Sequence, residues 1–339
     1  MKKTRIAALF ATMAMSVAAQ ADTYVLKVTH FLPANSNAQA NVIEPWCKQL
    51  SEESNKRIQC QLYPSMQLGG TPATLPDMVR NGVADIVWTA PGYSPGKFPR
   101  VEALELPFML PYGGSAANRI IWSYYEQYAK DDFKGYKVLA LFGDGGMDIH
   151  TRNKPVQTLE DFKGLKLRAS GRTLAKALEA VGATPVSMPP AQMTEAISKG
   201  VVDGAMATWE VVPPTKLEEV TTFHSAVSDG QPAMAYTVLG MFMNPRKYER
   251  MPADLKPIFD RHVGLALVDR FGTAWEKAMA DARGMVPADS IVTISDAEYT
   301  RIKQAASGVT DAWIKEMNGK GLDGQKLVEG VRSLSPVAR

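Results

Sequence analysis

The most informative part of this chain begins with Thr158-Leu-Glu-Asp-Phe-Lys-Gly-Leu-Lys-Leu-Arg168. It continues through Val181-Gly-Ala-Thr-Pro-Val-Ser-Met188 and ends with Lys199-Gly-Val-Val-Asp-Gly-Ala-Met-Ala-Thr-Trp209. In Leu165-Lys-Leu-Arg168 the leucines alternate with basic residues, which predicts a short strand that ends with Arg168 on its polar face. A guanidinium there can bind a carboxylate through two parallel hydrogen bonds. The alternative is a solvated or salt-bridged surface arginine, and the spacing alone does not decide between the two.

Strand-like and helix-like segments alternate along the chain. The predicted strands are Tyr24–His30, Arg57–Tyr63, Ala84–Trp88, Tyr136–Phe142, Leu165–Ala169 and Ala205–Ala207. The predicted helices are Asn35–Ser54 with a kink at Pro45, Thr71–Asn81, Thr173–Val181 and Ala191–Lys199. This alternation predicts an α/β fold with mixed, mostly parallel sheets, and the chain is long enough that we expect two lobes. The apolar stretch Ala233–Met243 is expected to return the chain to the first lobe.

A long helix is predicted between Pro257 and Pro287, because Ile258–Val286 contains no proline. An apolar residue recurs every four positions along it. About 29 residues at 1.5 Å each would span roughly 43 Å, which is longer than one lobe. We therefore expect this helix to run along both lobes, with Gly264 and Gly272 as candidate weak points. The alternative for either glycine is that it only relieves crowding.

The first 21 residues have the pattern of an export signal. Lys2, Lys3 and Arg5 form a basic start, Ile6–Ala18 is an apolar run too short to span a bilayer, and Ala19-Gln-Ala21 is a small-x-small cleavage site. We expect export to the periplasm with cleavage after Ala21, and the alternative is an amphipathic first helix of the fold. No later window holds about 18 uninterrupted apolar residues, so the mature protein is expected to be soluble.

Loss of that signal would remove the net charge of the chain. The full sequence has 38 Lys and Arg against 35 Asp and Glu, and the signal carries three of the basic residues and none of the acidic ones, which leaves 35 of each. No basic run exceeds three residues. This balance argues against a nucleic-acid partner.

The two cysteines, Cys47 and Cys60, are predicted to form a disulfide, because an even count is typical of disulfides in an exported protein. Cys47 lies on the apolar face of a predicted helix, and Cys60 alternates with Ile58 and Leu62 on one face of the following strand. Both thiols can therefore point into one helix–strand interface, where a bridge would add on the order of 3 kcal/mol. The alternative is a pair of buried free thiols.

The sequence contains no complete catalytic motif among the patterns considered. Gly92-Tyr-Ser94-Pro-Gly96 matches the Gly-x-Ser-x-Gly pattern of a nucleophile elbow, but Pro95 has no backbone N–H to donate to an oxyanion. The four histidines, at positions 30, 150, 224 and 262, have no metal-ligand spacing. We therefore expect neither an enzyme nor a cofactor or metal site. The alternative from another class is a secreted hydrolase that uses Ser94 and His150.

Three further segments are Gln67-Leu-Gly-Gly70, Asn81-Gly-Val-Ala-Asp-Ile86 and Glu105-Leu-Pro-Phe108. Together with residues 158–209, and in this order, they resemble the solute-binding proteins of tripartite ATP-independent periplasmic (TRAP) transporters. The resemblance implies two α/β lobes that close on an organic acid, with Arg168 binding its carboxylate. It also implies integral membrane permease subunits as the partner.

The resemblance further implies lobes that are discontinuous in sequence. Lobe I is expected to comprise residues 22–145 plus about 231–272, and lobe II residues 146–230 plus about 273–339. We expect a monomer. The binding protein of an ATP-driven importer is the alternative within the binding class, and the long helix favours the TRAP type.

Two departures from the family pattern narrow the chemical class of the expected ligand. Many members carry a second arginine on the strand near Asp148, where this chain has none, and Arg152 is the candidate substitute. Many also have a polar residue soon after the Asp-Gly pair, where this chain has the apolar run Ala205-Met-Ala207. Both losses disfavour a polyhydroxylated sugar acid.

Aromatic and soft side chains at strand ends and in loops complete the predicted site. They are His30, Phe31, Trp88, Tyr93, Met206, Trp209 and Phe242. Aromatic walls suit an apolar or aromatic tail on the ligand, whereas the alternatives are core packing for Met206 and Phe242 and a structural hydrogen bond for His30. Asp148 or Glu210 is a candidate to accept a ligand hydroxyl, and the equal alternative for either is a helix cap or an ion pair with a lysine. Resemblance of residues 209–213 to one branch of the family implies an aromatic or a 2-oxo or 2-hydroxy monocarboxylate.

Overall fold

A computed structural model describes residues 22–338 of the chain. The predicted export signal, residues 1–21, lies outside the described residues. No helix within the described part of the chain is long and apolar enough to cross a membrane.

The structure consists of eleven strands and twelve α-helices among the described residues. The strands are β1 Tyr24–His30, β2 Ile58–Tyr63, β3 Ile86–Thr89, β4 Lys137–Gly143, β5 Asp148–Thr151, β6 Lys166–Ala169, β7 Thr184–Ser187, β8 Gly204–Ala207, β9 Phe223–Val227, β10 Val238–Met243 and β11 Ile291–Ile294. The helices are α1 Glu44–Glu53, α2 Leu75–Arg80, α3 Ser115–Tyr124, α4 Arg172–Ala180, α5 Met193–Ser198, α6 Val212–Thr215, α7 Pro245–Glu249, α8 Lys256–Asp260, α9 Leu265–Arg283, α10 Asp296–Ala305, α11 Gly308–Gly319 and α12 Gly324–Leu334.

The first sheet has the strand order β2-β1-β3-β10-β4. β1 pairs in parallel with β2 and β3, whereas β10 runs antiparallel to β3 and β4. Every residue of β3 and β10 is buried, as expected for central strands covered by helices on both faces. Because β10 lies within the apolar stretch Ala233–Met243, the predicted return of the chain to this sheet is confirmed.

The second sheet has the strand order β11-β9-β5-β8-β6-β7. β6 pairs in parallel with β7 and β8, β9 pairs in parallel with β11, and β5 runs antiparallel to β8 and β9. Over both sheets, five strand pairs are parallel and four are antiparallel. The predicted two-lobe α/β fold is confirmed, and we call the body around the first sheet lobe I and the body around the second lobe II.

The C-terminal segment does not pack on one lobe alone. α11 contacts α4 of lobe II, whereas α12 contacts α3 of lobe I. The lobe boundaries near residues 145, 231 and 273 stay predictions, and the helices after β11 contribute packing to both lobes.

The predicted single helix over Ile258–Val286 is wrong, because the chain breaks between α8 and α9. Gly264 has φ of +67°, a conformation that glycine adopts without strain, and its N–H donates to the Leu139 carbonyl of β4 at 2.7 Å. The Trp46 Nε1–H donates to the His262 carbonyl at 2.9 Å, which fixes the same turn. α9 nevertheless contacts β4 and α3 of lobe I and the 3₁₀ turn Trp209–Val211 of lobe II, so a helix spanning both lobes is confirmed.

The disulfide between Cys47 and Cys60 is present, with the two Cα atoms 5.8 Å apart. It joins α1 to β2, which are also packed against each other. The predicted helix–strand bridge is therefore confirmed.

Candidate ligand-binding site

A cavity lies between the two lobes, where the carboxyl ends of several strands meet. In open α/β sheets, ligands bind at such strand ends. Its principal lining residues are Phe31, Trp88, Tyr93, Asp144, Arg168, Thr208, Glu210 and Thr237. The space not filled by protein atoms, including the mouth, is about 360 Å³.

Arg168 is the cationic residue of this cavity. Its side chain is buried, with 2% of the residue exposed. Nε donates to the Met188 carbonyl at 2.9 Å and Nη1 donates to the Met206 carbonyl at 3.0 Å, whereas Nη2 has no partner within residues 22–338. Burial lowers the pKa of Arg168, and the neighbouring Tyr93 and Asp144 oppose that shift. The guanidinium is thus held rigidly with one donor unused.

The position of Arg168 follows from its strand. β6 lies between β7 and β8, with Arg168 in register with Val186 on one side and Ala205 on the other. Leu167 points to the opposite face and is fully buried in the core. The alternation read from the sequence therefore places the guanidinium away from the lobe II core and at the cavity.

Three aromatic rings of lobe I form the wall of the cavity. Phe31 stacks on Trp88 with ring centroids 4.9 Å apart and planes 10° apart, and it meets Tyr93 edge-on at 5.3 Å. The Trp88 Nε1–H is buried and has no partner in the described part of the chain. Burial raises the pKa of Tyr93 to about 12, so its hydroxyl stays protonated and can donate. The wall is apolar except for these polar tips.

Two carboxyl groups also face the cavity. Asp144 accepts a hydrogen bond from the Gly146 N–H at 3.1 Å, and burial raises its pKa to about 7. Glu210 is 5% exposed, and its Oε2 has no partner among the residues described. Burial, with a smaller effect of the Asp144 charge, raises the pKa of Glu210 to about 8. Thr237 adds a buried hydroxyl next to Asp144, where it lowers the pKa of that carboxyl against the effect of burial.

Trp209, Asp148 and His30 lie behind the cavity rather than on its wall. The Trp209 Nε1–H donates to Asp148 at 2.5 Å, and its ring packs edge-on against His150. His30 Nε2 lies 2.8 Å from Gln39 Oε1, so the structural hydrogen bond is the reading that the structure favours for His30. These three residues support cavity residues instead of lining the cavity.

Met206, Phe242 and Arg152 also lie away from the cavity. In β8 Ala207 lines the cavity while the Met206 side chain is fully buried on the other face, and only its carbonyl reaches Arg168. Phe242 packs among core aromatic rings such as Phe98. Arg152 is exposed, with Nη1 near the Ile197 carbonyl at 3.4 Å, and it does not line this cavity.

Sequence reasoning missed Asp144, Thr208 and Thr237 as cavity residues. Asp144 lies just after β4, in a short glycine run that has no nucleotide-binding pattern. Its place after a strand was the available signal, since β3, which carries Trp88, runs in the same direction as β4 in the same sheet and ends at the same edge. Thr208 donates to the Asp144 carbonyl at 2.8 Å and so joins lobe II to this loop.

Ser94 does not have the surroundings of a nucleophile. It is 5% exposed, and its hydroxyl donates to the Ala73 carbonyl at 2.7 Å. No group of three or more potential metal ligands clusters within the described residues.

Comparison with known proteins gives consistent matches over nearly the whole chain. Residues 28–316 match the family described as bacterial extracellular solute-binding protein, family 7. A TRAP solute-binding protein from Rhodoferax ferrireducens T118, solved with copurified benzoate, is 40% identical with a TM-score of 0.88, covering 92% of this chain and 97% of that one.

Two further relatives match at different levels of identity. A marine metagenome TRAP solute-binding protein specific for aromatic acid ligands, co-crystallised with 3-hydroxybenzoate, is 40% identical with a TM-score of 0.89, covering 92% of this chain and 98% of that one. The C4-dicarboxylate-binding periplasmic protein DctP of Rhodobacter capsulatus is 24% identical over 319 residues, which cover 89% of this chain and 86% of the relative.

Proposed function

This chain belongs to family 7 of the bacterial extracellular solute-binding proteins, and from that premise we propose that its cavity binds an aromatic monocarboxylate through Arg168. The protein is a TRAP solute-binding protein and not an enzyme, and it delivers an organic acid to a TRAP membrane permease. The family is periplasmic. A hydrolase using Ser94 is not favoured.

The unpartnered Nη2 of Arg168 carries the proposal. A buried donor without a partner costs about 1–3 kcal/mol, and more when the group is charged. Two backbone carbonyls fix the plane of the guanidinium, so little conformational entropy is lost when a ligand binds. A ligand carboxylate supplies both the missing acceptor and the missing counter-charge.

The aromatic wall supports a ring on that carboxylate. Phe31, Trp88 and Tyr93 present stacked and edge-on faces to the cavity, and aromatic rings pair well in both arrangements. The two relatives at 40% identity whose solved structures contain benzoate and 3-hydroxybenzoate support the same class. A sugar acid would need many more polar partners than this wall offers.

Lobe closure completes the proposed mechanism. Thr208 of lobe II bonds to the loop after β4 of lobe I, so the cavity is covered only while the lobes meet. The closed, ligand-bound form would be the state recognised by the permease. The mature protein would begin after Ala21 and act as a monomer.

Isothermal titration of protein freed of copurified ligand by unfolding and refolding tests this proposal. We expect benzoate to bind at micromolar concentration or below, and glucuronate and succinate to bind far more weakly. Binding of glucuronate or succinate with no measurable binding of benzoate would overturn the assignment.

A further inference from the structure

We propose that Glu210 is a second polar anchor of the cavity, which bonds a hydroxyl group on the ligand ring and makes a hydroxylated aromatic acid the preferred ligand. This inference rests on the proposed function, since it assumes that Arg168 holds the carboxylate. It adds a specificity-determining residue at a different part of the cavity wall.

The geometry of Glu210 is that of a built site. It lies in the 3₁₀ turn Trp209–Val211, directly after β8. Both neighbours in the turn are buried, and Thr208 ties the start of the turn to the Asp144 carbonyl at 2.8 Å. The backbone of Glu210 is therefore fixed at the cavity, and its Oε2 is buried without a partner in residues 22–338.

The charges around the cavity leave Glu210 without a cation. Arg172 pairs with Glu102, Arg283 lies 3.8 Å from Asp148, and the charge of Arg168 acts on Asp144. Burial consequently raises the pKa of Glu210 to about 8, so at neutral pH it is a neutral acid.

A neutral carboxylic acid both donates and accepts a hydrogen bond, and so does a hydroxyl group. The two can bond without placing a new charge in the cavity. A second carboxylate on the ligand would instead be buried with no cation, at a much higher cost. The chemistry at Glu210 therefore fits a ring hydroxyl better than the second acid group of a dicarboxylate.

Arg168, Asp144 and Glu210 line the same cavity, in which the space not filled by protein atoms is about 360 Å³. The charge of Arg168 acts on the pKa of Asp144, and the charge of Asp144 acts on the pKa of Glu210. One ligand bound in this cavity would therefore engage both anchors.

The test is titration of benzoate, 3-fluorobenzoate and the three hydroxybenzoate isomers into the wild type and into E210Q and E210L. We expect one hydroxybenzoate to bind the wild type at least about tenfold more tightly than benzoate, because its hydroxyl satisfies a buried group. 3-Fluorobenzoate, of similar size but a poor hydrogen-bonding group, should bind like benzoate. The ratio of the two dissociation constants should fall to about one in E210L and stay above about five in E210Q, which keeps a neutral donor and acceptor.

The outcomes separate this inference from the proposed function. E219Q, at an exposed position nearby, is the matched control and should keep the wild-type ratio. If the wild type binds neither benzoate nor any hydroxybenzoate, the proposed function fails. If it binds benzoate but no hydroxyl adds affinity, or if the ratio is lost in T237V and kept in E210L, the role of Glu210 is overturned while Arg168 keeps its own. If E210L does not fold, the titrations of benzoate, 3-fluorobenzoate and the hydroxybenzoates into the wild type, together with E210Q, still test whether a ring hydroxyl adds affinity.

Discussion

Arg168 and Arg172 lie four residues apart, in β6 and at the start of α4, and their surroundings are opposite. Arg168 donates to two backbone carbonyls, interacts with the neighbouring Tyr93, and has no geometric hydrogen-bond partner for Nη2 among the described residues. Arg172 uses its whole guanidinium: Nε and Nη2 donate to Glu102, and Nη1 donates to both oxygens of Glu316 at 2.7 and 3.0 Å. Arg168 can therefore bind a ligand, whereas Arg172 stabilises the fold.

The difference shows that the contact between the lobes and the binding of the ligand depend on different arginines. The 3₁₀ turn Val101–Glu105, which carries Glu102, contacts β10 of lobe I, whereas Arg172 belongs to lobe II, so their ion pair joins the two lobes. Bonds to Lys320, Lys176 and Arg172 lower the pKa of Glu316 to about 2, which keeps its own ion pair with Arg172 charged at any physiological pH. The ion pairs of Arg172 therefore hold the two lobes together, whereas the unpartnered Nη2 of Arg168 is available to a ligand.

The sharpest test of this division is Arg168→Lys. Lysine keeps the charge but cannot reach two carbonyls and a ligand at once, so we expect benzoate affinity to fall on the order of 100-fold or more. Isothermal titration measures the loss. Arg172→Lys is the matched control, with an expected loss below about fivefold. Equal losses in both variants would contradict the division of roles.

Arg172→Ala should act mainly on stability. It leaves Glu102 buried without its cation, which we expect to cost about 2 kcal/mol of unfolding free energy, below the roughly 3–5 kcal/mol for a fully buried pair because 27% of the Arg172 side chain is exposed. Urea unfolding monitored by circular dichroism gives the value, and E102Q in the same background should recover part of it. A stable R172A protein that no longer binds benzoate would show that Arg172 belongs to the binding site.

The pH dependence of affinity should come from the cavity acids. Asp144 has its pKa raised to about 7, and a ligand carboxylate nearby would raise it further. Binding then takes up a proton above that pH, so affinity for benzoate should fall as pH rises, on the order of tenfold between pH 6 and about pH 8.5. The other acids that interact with Asp144, Glu210 and Glu105, have pKa values raised to about 8 and act in the same direction near the upper limit.

Two variants separate these contributions. Titrations at several pH values should give a shallower slope for D144N, and E210Q should remove a smaller part near pH 8. Affinity that is constant over this range in the wild type would exclude Asp144 as a neighbour of the bound carboxylate.

The fold could be predicted largely from the sequence because apolar alternation and proline positions are local signals. β1 was predicted with both ends correct, and Arg168 was placed because its strand alternates over four residues. The sequence indicated Gly264 and Gly272 as weak points but not which of them breaks the helix, since the break involves a hydrogen bond to Leu139, which is distant in sequence.

The site was predicted less completely because the position at a strand end does not fix the direction of a side chain. Met206 and Ala207 are adjacent in β8, and only Ala207 faces the cavity. Trp209 was expected on the wall, yet its bond to Asp148 turns it away. Partners that decide such orientations come from other strands, so a single segment does not reveal them.

The smallest expected effect on affinity comes from Trp88. Trp88 and Trp46 differ in the same way as Arg168 and Arg172, because only one member of each pair has an unpartnered donor. Trp88→Phe keeps the ring that stacks on Phe31 and removes an unpartnered Nε1–H at the cavity, so benzoate affinity should fall about three- to tenfold. Trp46→Phe removes an Nε1–H that already donates to the His262 carbonyl, so unfolding free energy should fall by about 1 kcal/mol with affinity unchanged. Titration and urea unfolding of both variants measure the two quantities. Loss of affinity in W46F alone would show that a buried donor without a partner does not mark the binding site. Loss of affinity in W88F alone would show that such a donor marks the site even when it is uncharged.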